Sequence, residues 1–586
     1  MSTTSTSGTC SREHLQREFN LKPTHWIHEW VFCRSAAQQN LLCHCPDLKE
    51  KFANAADRLY SGKLAWMRPS PRTGWLLALL SAILQILCFP SPGQYFLCWV
   101  ALAPLLVALI DRRYSPTLFR GVLLAYFCGL IWYAGTCYWI FHVMHVYGGL
   151  SEPVAVAVLI LFCLYLALYH SFFGLLIGLL TRSRFFANAR VLILVPVLWV
   201  GVELARAHVT SFPWDLLGYA QVNNVPLTRI ATVTGVYGLS SVIALVNTIF
   251  ALGFLLPRER RLSVALTAVL GALALQSGAA VPYPPVYPDH VADLVQVNLP
   301  ILQTNWAPAF YDQTIAQLVQ LSSEAAKALP HALNSRLIVW PESPAPFFTS
   351  DPKFQHWMFA LAQDSHAYLI IGSLGVSRGN KPENSEVFNS AQLVEPDGSM
   401  GARYDKIHLV PFGEFVPFRH LLSFAESLTH DIGDLSRGNE RNALAVDDHK
   451  VGTFICYESI FPDEVRRFAQ NGAELFVNLS DDGWYGDYGA PGQHLNMARM
   501  RAIENGRWLL RATNNGITAS ISPIGELVAT APRNVRTVLQ APYSFESGTT
   551  FYTRHGDWFA HACAIISVLA LIMAALSGRL PQRLRQ

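Results

Sequence analysis

The chain has 586 residues, and with 51% hydrophobic and only 15% charged residues its composition argues against a wholly soluble or disordered protein. The 44 Lys and Arg against 41 Asp and Glu give a net charge of +3, which is too even for an electrostatic nucleic-acid binder. Eleven scattered cysteines are too few for a disulfide framework. The mean hydropathy of +0.26 and the 12% of aromatic residues favour a membrane protein that also has a water-facing part.

Residues 1–70 are polar, begin with a Ser/Thr-rich run and contain no apolar segment long enough to span a membrane. They also contain no signal-peptide core. One small cluster in this region has no second pair of ligands at a common zinc spacing, so we expect no metal site there: Cys33, Cys43, His44 and Cys45. The segment is interpreted as a cytoplasmic extension of unknown role.

Residues 71–280 contain seven apolar segments separated by short polar breaks, and an eighth lies within residues 558–586. Several approach the roughly 20 residues that a helix needs to cross about 30 Å of hydrocarbon. The predicted spans are 75–89, 95–110, 121–142, 154–180, 191–205, 232–256, 263–280 and 558–577. The sequence therefore predicts a polytopic α-helical membrane domain with about eight transmembrane helices.

Arginine is concentrated in every second break between these spans. The breaks after the second, fourth and sixth spans and the C-terminal tail each contain three arginines: Arg112, Arg113, Arg120, Arg182, Arg184, Arg190, Arg258, Arg260, Arg261, Arg579, Arg583 and Arg585. The breaks after the first and third spans contain neither Lys nor Arg. Because positively charged loops stay in the cytoplasm, this alternation predicts cytoplasmic termini and places residues 281–557 on the opposite side of the membrane. Eight spans satisfy this parity, whereas seven or nine do not.

Residues 281–557 have an ordinary soluble composition and the size of one large domain. Short runs rich in β-branched residues alternate with predicted helices; the runs are 292–298, 336–340, 367–371, 451–456 and 474–478, and the helices are 312–328, 353–365, 462–471 and 493–507. Two hairpins are predicted around turn signals, pairing 387–394 with 400–405 and 517–522 with 527–530. The pattern predicts an α/β domain with a mixed sheet or a pair of sheets.

Reactive side chains follow three of these predicted strands. Glu342 comes just after the apolar run at 336–340, in partly desolvated surroundings that suit a general base. Lys406 begins a loop broken by Pro and Gly, and Cys456 ends a strand just before a predicted helix, whose dipole is expected to favour the thiolate. Taken singly, each has an ordinary interpretation: a surface carboxylate, a salt-bridged lysine and a packed cysteine. Taken together, they are the base, the oxyanion-stabilising cation and the nucleophile of covalent catalysis.

The order WPES, Lys406, LVPFGEFVP and CYES resembles the nitrilase superfamily, whose members use a Glu-Lys-Cys triad on an αββα sandwich. With membrane helices before the triad and one after it, the chain is similar to the membrane-embedded bacterial branch, the apolipoprotein N-acyltransferases. The similarity runs from about residue 74 to the C-terminus and includes several further stretches: 211–221, 478–486, 493–501 and 511–518.

This resemblance implies that Cys456 is the nucleophile, Glu342 the general base and Lys406 the oxyanion-side cation. It also implies supporting or substrate-binding roles for Glu414, Tyr457, Glu458 and Trp306. One departure is the sequence Asp481-Asp482-Gly483-Trp484, where the family usually has Asn-Asp-Ala-Trp. This departure bears on the local backbone and its hydrogen bonds, not on the triad.

The resemblance further implies an acyltransferase that moves an acyl chain from a phospholipid, through a cysteine thioester, to the α-amine of the N-terminal diacylglyceryl-cysteine of apolipoproteins. It implies a bacterial inner membrane location, a periplasmic catalytic domain, no cofactor, no metal and no nucleic-acid partner; a monomer is expected. An alternative is a membrane-tethered nitrilase-type amidase acting on a small C–N substrate. A transporter or receptor with an external binding domain is a second alternative, which leaves the order of the triad unexplained.

Other residues allow further interpretations. His494 invites a Cys-His dyad, but its position in a predicted helix favours a structural role. Asp481 and Asp482 have no accompanying ligands, so no cation site is predicted. A final apolar group after the lysine loop is interpreted either as a lid that touches the membrane or as ordinary packing: Phe415, Phe418, Leu421 and Leu422.

Overall fold

A computed structural model describes residues 71–276, 287–301, 308–328, 336–377, 386–415 and 435–578 of the chain. The predictions for residues 1–70, for Trp306 and for Phe418, Leu421 and Leu422 lie outside the described residues.

Every predicted apolar segment contains at least one helix. The helices of the first half are α1 Pro71–Cys88, α2 Cys98–Ala101, α3 Ala103–Ile110, α4 Leu118–Thr136, α5 Trp139–His142, α6 Glu152–Leu180, α7 Val195–Val209, α8 Val225–Thr228, α9 Ala231–Thr234, α10 Val236–Leu255 and α11 Arg258–Leu275. Helices α4 and α6 approach closely, since a β-carbon at Gly129 would lie 2.7 Å from the β-carbon of His170. Small residues of this kind allow membrane helices to pack without a hydrophobic driving force between them.

The second predicted span is divided into α2 and α3, and Asn247 of α10 satisfies the backbone at the break. Its Oδ1 accepts hydrogen bonds from the N–H groups of Leu102 and Ala103 at 2.8 and 3.0 Å. Its Nδ2 donates to the carbonyl oxygen of Cys98 at 2.7 Å. Irregular backbone at membrane depth requires such internal partners, so this buried amide explains why a broken helix is tolerated here.

Fewer helices than predicted are long and apolar enough to cross a membrane. Among the described residues there are five: Leu118–Thr136, Glu152–Leu180, Ala189–Val209, Val236–Leu255 and Trp558–Leu576. Arg72–Cys88 and Tyr95–Ile110 are apolar but shorter, and α11 begins with the polar sequence RERR. The described helices therefore support a polytopic membrane protein, and the count of about eight stays a prediction.

The second half contains two mixed six-stranded sheets. Their strands are β1 His290–Gln296, β2 Arg336–Val339, β3 Ala367–Ser377, β4 Glu386–Val394, β5 Met400–Asp405, β6 Leu444–Val446, β7 His449–Ile455, β8 Leu475–Ser480, β9 Trp508–Thr513, β10 Ala519–Ile521, β11 Leu527–Thr530 and β12 Thr537–Tyr543. The first sheet has the order β12-β1-β2-β3-β4-β5 and the second β11-β10-β9-β8-β7-β6. In each, three parallel strands, β1-β2-β3 and β7-β8-β9, are flanked by antiparallel neighbours.

Four long helices lie between strands of the two sheets: α12 Pro308–Ala328, α13 Pro352–Ser365, α14 Pro462–Gln470 and α15 Ala490–Asn505; the short helix α16 Phe551–His555 and the apolar helix α17 Trp558–Leu576 follow the last strand. Val339 of the first sheet and Phe454 of the second share one buried core, so the sheets pack against each other. Alternate residues of the first sheet, such as Ile338, face a separate core that includes Met358 of α13. Because side chains alternate along a strand, this sheet is buried on both faces.

Candidate active site

Cys456 is the first residue after β7 and begins a 3-10 turn, Cys456–Ile460, that precedes α14. Its φ of +49° lies in the left-handed region, a conformation that costs a non-glycine residue about 1–3 kcal/mol and persists only when its surroundings hold it. The residue is buried, with 6% of its surface exposed. The strand therefore ends in a strained turn that holds a buried thiol.

The surroundings of Cys456 favour its neutral thiol. Burial raises the pKa of the Cys456 thiol well above its ordinary value, the charge of Glu342 adds to this effect, and Lys406 opposes it. The thiolate expected from the helix dipole is therefore not what these surroundings favour, because burial and the charge of Glu342 raise the pKa of Cys456. A base must remove the proton before the sulfur can act as a nucleophile.

Lys406 follows β5 and lies between two carboxylates. Its Nζ is 3.1 Å from Oε1 of Glu342 and 3.0 Å from Oε1 of Glu414. Although burial opposes the charge, the two carboxylates raise the pKa of Lys406 above its ordinary value. Lys406 therefore remains a cation at any physiological pH.

Asn389 of β4 joins the same two carboxylates. Its Nδ2 donates hydrogen bonds to Oε1 of Glu342 at 2.8 Å and to Oε1 of Glu414 at 2.7 Å. Its backbone oxygen accepts from the N–H of Lys406 at 2.8 Å. Asn389 was not predicted from the sequence, where the available signal was a polar side chain in a predicted strand.

Glu342 lies just beyond β2, where its backbone passes very close to β3. A β-carbon at Gly372 would lie 2.1 Å from the carbonyl oxygen of Pro341, so only glycine permits this approach. Oε2 of Glu342 accepts a hydrogen bond from the backbone N–H of Asp481, after β8, at 3.1 Å. Both carboxylate oxygens of Glu342 therefore accept hydrogen bonds from residues that lie on or just after other strands.

Glu458, two residues after Cys456, holds the lysine loop. Its Oε1 accepts from the hydroxyl of Tyr404 at 2.8 Å and from the N–H groups of Ile407 and His408 at 2.7 and 3.0 Å. Its Oε2 accepts from the N–H of Ile455 at 2.7 Å. One buried carboxylate therefore fixes the end of β7 to the segment that follows Lys406.

Two family descriptions match the chain. Residues 81–249 match the apolipoprotein N-acyltransferase N-terminal domain, and residues 297–551 match carbon-nitrogen hydrolase. The chain is 39% identical to an apolipoprotein N-acyltransferase from Geobacter metallireducens, over 87% of this chain and 96% of that protein. The chain belongs to the apolipoprotein N-acyltransferase family. The expected acyltransferase class and carbon-nitrogen hydrolase domain are confirmed.

A second relative agrees with this membership in the family. An apolipoprotein N-acyltransferase from Shewanella oneidensis is 33% identical over 72% of this chain and 80% of its own length. A carbon-nitrogen hydrolase structure from Helicobacter pylori is 21% identical, with a TM-score of 0.33 over 43% of this chain and 88% of that one.

The side chain of Tyr457 connects the candidate site to the helical half of the protein, which matches the N-terminal domain of this family. Its hydroxyl donates to the backbone oxygen of Ser211 at 3.1 Å, and its ring meets Phe461 edge to face. The strand end that carries Cys456 therefore contacts a loop between two apolar helices. Trp306, the remaining predicted substrate-binding residue, lies outside the described residues.

His494 contacts the backbone of the 3-10 turn that begins at Cys456. Its Nε2 is 3.0 Å from the carbonyl oxygen of Cys456 and 2.7 Å from Oγ of Ser459, and its Nδ1 is 2.9 Å from Oδ1 of Asp482. These contacts agree with the structural interpretation. Asp482 is also paired with Arg511 at 2.8 Å.

Within the described part of the chain, no group of three or more His, Cys, Asp or Glu is arranged to hold a metal ion.

Phe415 is the described member of the predicted lid group. Its backbone oxygen accepts a hydrogen bond from the N–H of Phe412 at 2.8 Å. Its ring lies under the guanidinium of Arg437, with 4.9 Å between Cζ and the ring centroid. These contacts are ordinary packing for this one residue, and the lid stays a hypothesis.

The raised pKa of Asp481 predicts that the stability of the folded protein depends on pH. Burial and the charge of Glu342 raise the pKa of Asp481 to about 7, whereas an unfolded Asp titrates near about 3.9. Its contribution to stability is thus complete below about pH 4, falls as the pH rises to about 7, and is constant above. We expect the melting temperature of Asp481→Asn to fall less between about pH 5 and pH 8 than that of the wild type. Asp448→Asn, at an exposed position, should keep the wild-type slope, and parallel curves for all three proteins would contradict this prediction.

Proposed function

We propose that this protein transfers an acyl chain from a phospholipid, through a thioester on Cys456, to the α-amine of the N-terminal diacylglyceryl-cysteine of apolipoproteins. The main support is the buried cluster in which Lys406 bonds Glu342 while both charges act on Cys456. Nucleophile, base and cation are the groups that covalent acyl transfer needs. The match of the helical half to the same family supports a lipid donor.

In the first step, Glu342 takes the proton of Cys456 and the sulfur attacks the ester carbonyl of the phospholipid. Lys406 stabilises the negative charge that develops on the carbonyl oxygen. The tetrahedral intermediate collapses with cleavage of the ester C–O bond, and Glu342 returns the proton to the leaving glycerol oxygen. The products are an acyl thioester and a lysophospholipid.

In the second step, the free amine of the acceptor cysteine attacks the thioester carbonyl. The C–N bond forms and the C–S bond breaks, so the sulfur of Cys456 leaves. Glu342 passes a proton from the amine to the sulfur, which restores the thiol. A thiolate is a good leaving group as well as a good nucleophile, which is why one cysteine suits both steps.

Glu414 prepares Lys406 for this role. An ammonium has three N–H donors, and two of them are directed at Glu342 and Glu414. The third donor is then available for the developing oxyanion. Glu414 is itself held through Oε2 by the N–H of Val410 at 2.8 Å, so it acts as a positioning residue.

We also propose eight membrane crossings in a bacterial inner membrane, with both termini in the cytoplasm and a monomeric enzyme. The domain limits are 1–70 for the extension, 71–280 for the first seven helices, 281–557 for the periplasmic catalytic domain and 558–586 for the last helix and tail. The alternation of arginine-rich breaks and the helix in each apolar segment support this arrangement.

The lipid nature of both substrates explains why the enzyme needs a membrane half. Each buried CH₂ group is worth about 0.8 kcal/mol, so extraction of an acyl chain into water is costly. A small amide substrate has no such requirement. The membrane half therefore has no explanation under the amidase alternative. The two functions can be distinguished by experiment, because in an amidase water, not an amine, cleaves the thioester.

Mass spectrometry of the purified protein tests the proposal. After incubation with phospholipid vesicles we expect one added acyl chain on Cys456. A synthetic diacylglyceryl-cysteine peptide should then remove it and gain an amide-linked chain. No adduct on Cys456 contradicts the proposal, and an adduct lost to water at the same rate with or without peptide favours the amidase.

A further inference from the structure

The first turn of α15 lies directly on the membrane half of the protein. A β-carbon at Gly489 would lie 2.5 Å from the carbonyl oxygen of Pro90, and one at Gly492 would lie 3.0 Å from the β-carbon of the same proline. Larger side chains at these two positions would separate the helix from the loop after α1. The two glycines thus make a close junction between the catalytic domain and the membrane helices.

Gln493 bonds three separate membrane segments from this junction. Its Oε1 accepts a hydrogen bond from Nε1 of Trp214 at 2.7 Å. Its Nε2 donates to the carbonyl oxygens of Pro90 at 2.8 Å and Thr136 at 3.2 Å. Gln493 is 1% exposed, and these partners lie after α1, at the end of α4 and in the loop after α7. A buried amide with this many partners fixes both position and orientation.

The next residue of the helix holds the catalytic turn. His494 contacts the backbone oxygen of Cys456, and its ring stacks on Trp214 with 5.8 Å between centroids and 20° between planes. Trp214 therefore contacts both neighbours, Gln493 through its N–H and His494 through its face. Two consecutive residues, Gln493 and His494, therefore connect the membrane segments to the backbone of Cys456.

We propose that Gln493 is a positioning residue that sets the location of Cys456 relative to the membrane half, and so its reach to a lipid ester. This inference rests on the proposed acyl transfer from phospholipid. Gln493 touches no atom of the triad in the described structure, so its loss leaves the chemistry of the thiol intact. Loss of Gln493 instead changes the position of the Cys456 thiol relative to the membrane half, and this position matters when the ester substrate is confined to a bilayer.

The test compares two reactions of the same cysteine in the full-length protein. The first is acylation of Cys456 by phospholipid in nanodiscs, and the second is acylation by p-nitrophenyl acetate, a soluble ester that needs no bilayer. Gln493→Met should slow the lipid reaction by about tenfold or more, since a misplacement of about 1 Å can cost about 10²-fold. The soluble reaction should change by less than about twofold, which also shows that the variant is folded.

Two further variants sharpen the comparison. Trp214→Phe removes one of the three bonds and keeps an aromatic ring, so it should give a smaller loss in the lipid reaction alone. Gln363→Met, on the exposed surface of α13, should change neither rate. Equal losses in both reactions, or an unchanged lipid reaction in Gln493→Met, would overturn the inference. A wild-type protein that reacts with the soluble ester but never with phospholipid would instead overturn the proposed function.

Discussion

Replacing Glu342 by Gln is expected to slow thioester formation by about 10²–10⁴-fold, the usual contribution of general base catalysis. Burial keeps the Cys456 thiol protonated, so the reaction depends on a neighbouring base. The glutamine keeps the size of the side chain, but it has one acceptor oxygen only, so its amide group would face either the N–H of Asp481 or the donors of Lys406 and Asn389. We therefore expect a lower melting temperature together with a slow first step, and the first step is measured below that temperature as acyl adduct formed per unit time in single-turnover mass spectrometry.

The pH dependence of this variant gives an independent check. With no base in the site, hydroxide must ionise the thiol, so the residual rate of Glu342→Gln should rise steadily with pH. Glu386→Gln, at an exposed position on β4, is the matched control and should retain the wild-type rate. A Glu342→Gln rate within about threefold of the wild type would assign the base to another group.

The cluster around Lys406 shows how a buried cation is made tolerable. Ions in a protein interior lose solvation worth several kcal/mol each, and this is offset only by good geometry and additional hydrogen bonds. Here Glu342 and Glu414 flank the ammonium, Asn389 donates to both carboxylates, and backbone N–H groups hold the outer oxygens. The same contacts that stabilise the charges leave little freedom in the geometry of the base.

Much of the catalytic domain could be predicted from local patterns. Helix α13 is an example, since Asp351 accepts from the N–H of Lys353 at its start and Pro352 is its first residue. The hairpin of β4 and β5 follows from Gly398, which has a φ of +86° in the turn. Periodicity and turn residues are local, so they are visible without knowledge of the fold.

Strands β6, β9 and β12 were not predicted, and β9 and β12 depend on tertiary partners. β9 contains Arg511, a residue that is unfavourable in a buried strand unless it is paired, as it is here with Asp482. β12 contains Pro542, which is compatible only with an edge strand, and β12 does lie at the edge of its sheet. Neither pairing can be read from the local sequence.

The residues of the candidate site also fall into a group that could be predicted from local sequence and a group that could not. The three triad candidates follow strands, and their order along the chain resembled a known family, so they were found. Asn389 was missed, and Glu458 was expected near the pocket without its structural role, because their partners come from distant segments. A helix dipole was expected to favour the thiolate, whereas burial and the charge of Glu342 raise the pKa of the Cys456 thiol.

Replacing Glu458 by Gln is expected to lower the rate of thioester formation by about 10–100-fold and to lower the melting temperature by several degrees. The new amide would direct an N–H group at a backbone donor, most simply that of Ile455, and a buried donor left unpaired costs about 1–3 kcal/mol. The bond that fixes the end of β7 would then be lost while Ile407 and His408 stay on the carbonyl oxygen, and Cys456 follows Ile455 directly, so the thiol would lose its fixed position relative to the lysine loop. Both quantities are measurable on the purified protein, by thermal unfolding and by adduct formation.

A graded control separates loss of geometry from loss of stability. Tyr404→Phe removes one of the four donors to Glu458 and leaves the backbone bonds intact, so it should lower the melting temperature with little effect on the rate. If both variants lose activity only in proportion to their stability, Glu458 has no specific role in placing Lys406. A rate that falls much further in Glu458→Gln than in Tyr404→Phe means that this carboxylate couples the nucleophile turn to the lysine loop, which brings the base, the cation and the thiol together from three separate strands.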